Sequence, residues 1–159
     1  MNHVMEILMP CIYSFLACMA FSVIFHVGWK RMPLTCLGGS LGWFVYLVLD
    51  LESDVVGYLV ATVVIAIYSE IMSRVCKVPA TLFLTTAILP LVPGGGMYYT
   101  MEHCISGETE LFVETGLHTL ALAGAIAVGV IMVSSMVRMW KIMRTPELYF
   151  KDKIRREDY

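Results

Sequence analysis

Charge is what this chain has least of. Asp, Glu, Lys and Arg make up 15% of its 159 residues, against roughly 25% in soluble domains. By contrast, 58% are hydrophobic and the mean hydropathy is +0.76. A water-soluble fold of this length has too little interior to hide that much apolar surface. Paired cysteines are lacking too. Cys11, Cys18, Cys36, Cys76 and Cys104 stand singly, with no CxxC and no Cys/His group at metal-ligand spacing. They read as packing residues or free thiols, and no metal site is expected. No glycine-rich loop is followed by Lys and Ser/Thr, so nucleotide binding has no support. No spacing or strained turn marks a nucleophile, and no cofactor motif occurs. An enzyme, a cofactor and a nucleic-acid partner are therefore not expected.

What the chain does have is apolar length. A transmembrane helix needs about 20 mostly apolar residues, and five such segments with their connections use nearly the whole chain. The expected fold is an all-α polytopic membrane bundle of about five spans, in a domain over 1–144 followed by a basic cytoplasmic tail over 145–159. The first helix covers about 4–27 and carries Pro10 and His26. Gly28, Trp29, Lys30, Arg31 and Pro33 then close it with an interfacial ring, two cations and a helix breaker. Ala17-Cys18-Met19-Ala20 loosely resembles a signal cleavage site, but Glu6 precedes it without any Lys or Arg and the apolar run continues to Val27. The helix is therefore expected to be retained. The second, over about 34–49, rises only about 24 Å, short enough to need protein company. The third covers about 55–72. The fourth runs from about 80 to 101 with an interruption at Pro90–Gly96, and the fifth from about 111 to 137.

The charges test this count. All eleven Lys and Arg fall in the first and third loops and the C-terminal region: Lys30, Arg31, Arg74, Lys77, Arg138, Lys141, Arg144, Lys151, Lys153, Arg155 and Arg156. The second and fourth loops hold Asp50, Glu52, Asp54, Glu102, Glu108 and Glu110 and no cation. The positive-inside rule then places the N-terminus outside and the C-terminus in the cytoplasm of a cell (inner) membrane.

The strongest local feature is Pro90-Leu91-Val92-Pro93-Gly94-Gly95-Gly96. Two prolines remove backbone donors and the glycines favour non-helical dihedrals, so the helix is expected to break at membrane depth. Such backbone is tolerated in hydrocarbon only where protein buries it or a wet cavity receives it, and transporters use it to bind substrate. The plainer alternative is two short helices joined near the surface. Thr85 and Thr86 before the break, with Thr81, and Tyr98 and Tyr99 after it, offer hydroxyls to a polar ligand. Membrane threonines also bond back to the preceding turn and tyrosines also populate the interfacial belt. Glu114 and His118 lie four apart on one helix face, an expensive pair in a span and candidates for proton coupling; Glu114 can instead reach outward to water. Glu70 and Arg74 read as an interfacial ion pair.

Small residues supply the packing signal. Gly38 and Gly42 form GxxxG, and Ala121, Ala125 and Gly129 repeat at four. Such faces let helices approach closely in lipid, where hydrophobicity does not drive association. The plain reading is bundling within the chain, and a partner subunit or homo-oligomer is the other.

Phe25-His26-Val27, the basic pair, Pro33, Gly38, Gly39, Gly42-Trp43 and Tyr46 resemble the opening of the small membrane subunit of the threonine/serine exporter family. Pro79 and Pro90-Leu-Val-Pro93-Gly94 followed by Tyr98 resemble its proline-glycine signature. The resemblance covers nearly the full length. It implies export of small amino acids such as threonine and serine, or of a dicarboxylate such as succinate. It also implies a larger membrane partner of the same family, fused or separate, so this chain is expected to be the small half of a split exporter. A non-transporting scaffold or assembly subunit is the alternative.

Overall fold

The computed structural model describes residues 2–49 and 52–144; Asp50 and the basic tail expected over 145–159 lie outside them. Among the described residues all regular structure is helical: α1 (Asn2–Ile24), α2 (Met32–Leu49), α3 (Asp54–Cys76), α4 (Ala80–Ile88), a 3₁₀ turn (Leu89–Leu91), α5 (Gly94–Ser106) and α6 (Thr109–Arg144). Among the described residues four helices are long and apolar enough to cross a membrane, and five spans result if the bent α4–α5 pair is one.

Local chemistry sets the boundaries. α2 starts at Met32 because Pro33 falls in the first turn, where a missing N–H is harmless. α3 runs past residue 72 to Cys76 and stops where Lys77 turns left-handed (φ 54°) and its N–H bonds Ser73 O. Pro79 then opens α4. α6 continues to Arg144, beyond the apolar run that ends near 137, since Met, Arg, Trp and Lys are all good or fair helix formers.

α2 is the hub. It packs on α1, α3 and α4, while α3 packs in turn on α4 and α6, and α5 packs on α6. Three glycines bring the backbones together. A Cβ on Gly39 would sit 2.3 Å from Cys18 Sγ of α1, one on Gly42 2.3 Å from Ile65 Cδ1 of α3, and one on Gly38 2.9 Å from Tyr68 and 3.2 Å from Ala87 Cβ of α4. The company expected for the short second helix is thus supplied by the chain itself. Ala61, Ile65, Ala87 and Leu91 form one buried cluster and Cys18, Met32 and Cys36 another.

The small-residue repeat of α6 is only partly used for packing. Ala125 is buried and Gly129 meets Thr62 at 3.0 Å, but Ala121 is exposed. A repeat of four drifts about 40° per step around a 3.6-residue helix, so the buried stripe follows Thr119, Leu122, Ala125, Gly129 and Val133 instead.

Gly42→Ala and Gly39→Ala each place a methyl where an atom already stands and should destabilise by about 1–3 kcal/mol. Gly124 has nothing within 4 Å of its Cβ position, so Gly124→Ala should be neutral or gain up to about 1 kcal/mol of helix propensity. Thermal melting in detergent separates the two classes.

Candidate functional site

The interruption is made by the prolines. Beyond Ile88 the chain tightens into the 3₁₀ turn, Pro93 caps α5, and the helix axis bends by 50°. The glycines do not supply irregular backbone, contrary to the sequence expectation. Gly94, Gly95 and Gly96 form the first turn of α5, and the only positive-φ glycine among the described residues is Gly107. Proline at 90 and 93 already removes two donors and starts a new helix, so the glycines are free to serve close approach. Gly96 does so: a Cβ there would lie 2.4 Å from Thr119 Oγ1 of α6, whereas Gly94 and Gly95 face open space.

Trp43 of α2 holds the break, its indole N–H donating to Pro90 O at 3.1 Å. Trp43 also meets Tyr46 edge-on at 5.6 Å, and Tyr46 meets Tyr58 of α3 at 5.1 Å. The Tyr46 hydroxyl donates to Asp54 Oδ1 at 3.0 Å, and Asp54 Oδ2 lies 3.7 Å from His118 Nε2 of α6. One continuous set of contacts therefore joins the bent helix to an acid–imidazole pair. His118 and Asp54 are half-exposed, at 52% and 57%, so the pair itself contributes at most about 1 kcal/mol to stability.

This changes the partner expected for His118. Glu114 lies one turn away on the same helix and is exposed, but the carboxylate placed against the imidazole comes from α3. A second contact repeats the pairing of these helices at their other ends. Arg74 of α3 lies over the Trp140 ring of α6 at 5.3 Å and 3.9 Å from Glu70. α3 and α6 therefore run parallel. At 1.5 Å per residue, 54 to 74 rises about 30 Å and 118 to 140 about 33 Å, close to the thickness of a bilayer core. The break spans the middle of this bundle to its acidic end: Leu91 packs beside Ile65 and Ala61, while Gly96 meets Thr119, next to His118.

The remaining residues named from sequence lie apart. Thr86 is buried and bonds back to Leu82 O at 3.3 Å, and exposed Thr85 bonds back to Thr81 O. All three threonines line an open groove of about 240 Å³ with Phe25, Val27, Pro79 and Leu82, which runs along α4 from its start to about one turn before Pro90. Tyr98 is exposed and stacks edge-on with Tyr99 at 5.5 Å. Trp43, Asp54 and Thr119 were not singled out from sequence for a site. Asp54 reads as a hinge acid, and its pairing depends on two helices separated by more than thirty residues.

Comparison with known families gives a match over residues 10–136 to the family described as "Threonine/Serine exporter, ThrE". The chain belongs to the threonine/serine exporter family. The matched region takes in most of α1 and all of α2 to α5, with α6 as far as Met136, so the Trp43–Pro90 contact and the Asp54–His118 pair lie inside it. This family member is a multi-pass membrane protein of transporter type, which is not an enzyme class. No curated protein and no solved structure gives a match.

Gly96→Ala should destabilise the α5–α6 contact, and Thr119→Ala in the same chain should restore much of the loss because it removes the obstructing hydroxyl. A double-mutant cycle by thermal melting should give a coupling of about 0.5–3 kcal/mol; strict additivity would mean that the two residues do not touch. Trp43→Phe keeps one aromatic ring but removes the donor to Pro90 and part of the indole's packing surface, and should cost at least about 0.5–1.5 kcal/mol in the same assay.

Proposed function

We propose that this chain is one subunit of a secondary exporter that moves small amino acids of the threonine/serine type, or a small dicarboxylate, together with a larger membrane subunit of the same family. The observation that carries the reading is the break at Pro90–Pro93, tied by Trp43 and Tyr46 to Asp54 and His118 within a chain of this family. Both substrate classes carry a carboxylate. The Gly94 N–H donates to Val92 O at 2.7 Å, and the next first-turn amides of α5, at Gly95 and Gly96, have no acceptor inside their own helix and form the anion-facing end of a discontinuous helix. The bare glycines leave that approach open. Tyr98, one turn on, offers a hydroxyl to the polar end of the same solute. Thr85 and Thr86 line the groove along α4, one turn before the break, on the approach from the basic side.

Proton coupling falls to His118, with Asp54 as its counter-charge and Glu114 as a second acid one turn away. The basic residues at one end and the acidic residues at the other orient the chain in a cell membrane with its N-terminus outside and its C-terminus in the cytoplasm.

A scaffold subunit makes different demands. If the chain only assembles a complex, Gly38 and Ala125 replacements abolish assembly while Gly94 and His118 replacements leave flux unchanged.

Export from substrate-loaded vesicles should require this chain and its larger partner together. Pro93→Ala with Gly94→Val should lower the rate about tenfold or more through misplacement of the binding groups, with assembly intact. If the assembled pair moves neither amino acids nor dicarboxylates, the transport reading fails. Orientation is read separately on intact cells: a membrane-impermeant maleimide should label Cys104, which is exposed on α5, and spare Cys76 at the basic end of α3.

A further inference from the structure

α2 ends on the acidic side, where α3 and α1 begin: Ser40 of α2 donates to Cys11 O of α1, and nine residues from each point bring Leu49 level with Asn2. The Tyr46 hydroxyl, one turn before the end of α2, reaches Asp54 at the start of α3, and Asp54 in turn marks the level of His118. α6 does not stop there. Residues 109–117 continue past that level by about 13 Å, and α5 runs beside them in the opposite direction, with Gly96 against Thr119 and Thr100 against Gly116. The result is a helical hairpin that projects beyond the ends of the first three helices.

The hairpin is firmly built. Gly107 takes the left-handed conformation (φ 75°) that closes α5, the Glu108 N–H bonds His103 O at 3.0 Å, and the His103 ring lies 2.6 Å from the Glu108 carboxylate. These are the contacts of a capped, unfrayed turn. Its charges keep it out of the hydrocarbon, because Glu102, Glu108, Glu110 and Glu114 are spread along its length. Yet its outer face is apolar. On α5, Tyr98, Met101 and Ile105 fall on one stripe and are 65%, 61% and 84% exposed; they line a groove of about 230 Å³ with Glu102 and Ser106. Large side chains in such an arrangement outside the bilayer mark an interaction surface.

The charge pattern selects the occupant. From residue 78 to 137 the sequence contains no Lys or Arg, while the hairpin carries Glu102, Glu108, Glu110 and Glu114, and Glu102 among them lines the groove itself. Anionic headgroups are repelled by it, and a second copy of the same hairpin would bring like charge against like. A segment that carries cations around apolar anchors satisfies both the glutamates and the groove. We propose that the α5–α6 hairpin is a docking surface for a cationic, apolar segment of another protein on the acidic side of the membrane. This holds whichever solute the chain moves.

The test uses the full chain in its native membranes with a photo-crosslinking benzoylphenylalanine at position 101, and at position 24 on the opposite end of the bundle as a control. Irradiation should give a protein adduct at 101 whose crosslinked peptide, identified by mass spectrometry, carries net positive charge. Its yield should fall at least fivefold in 0.5 M salt and in the Glu102→Lys, Glu110→Lys double variant, with the adducts at 24 unchanged. The salt arm uses the chain without charge substitutions, so it remains decisive if the double variant fails to fold. Adducts with lipid alone, adducts with a second copy of this chain, or a protein adduct indifferent to salt would each overturn the proposal.

Discussion

Bare backbone at Gly38, Gly39 and Gly42 is the constraint on which the other contacts rest. In a bilayer, lipid tails cover apolar side chains as well as another helix does, so helices associate through close van der Waals contact rather than through escape from water. α2 answers this by presenting glycine in three directions, to Cys18 on α1, to Ile65 and Tyr68 on α3 and to Ala87 on α4. Because α4 is drawn against α2 in this way, Trp43 comes within hydrogen-bonding distance of Pro90. The bend into α5 is therefore anchored to the most tightly packed helix of the bundle.

The second organising element is the parallel pairing of α3 and α6, held by Gly129 against Thr62 at its centre and by polar contacts at both ends. One end joins an acid to an imidazole, the other a guanidinium to an indole. The bend of α4–α5 lies toward the acid–imidazole end, where Gly96 meets Thr119, the neighbour of His118.

Much of this was legible in the residues themselves. The apolar runs located the long helices, four of them long enough to cross a membrane among the described residues, together with the bent α4–α5 pair. Pro90 and Pro93 announced the bend, and the glycines of α2 announced close packing. The errors are equally physical. Gly94 to Gly96 looked like irregular backbone because glycine permits it, yet they form a helical turn, since permission is not preference when prolines have already started a new helix. Ala121 looked like part of a packing stripe because a spacing of four suggests one, yet helical drift carries it off the face.

Apolar length, loop charge and helix-breaking residues act locally, so the sequence by itself determined a helical membrane chain with a bend in its fourth segment and a basic and an acidic end. Contacts between distant helices depend on axial register and rotation, which no local pattern encodes. Only the tertiary structure decided that His118 faces Asp54 rather than Glu114 alone, that Trp43 holds Pro90, and that α5 and α6 project as a hairpin beyond their neighbours. The reason is that α3 and α6 run parallel without being adjacent in sequence, so their facing residues are set by how α3 packs on α2 and α4 and how α6 packs on α3 and α5.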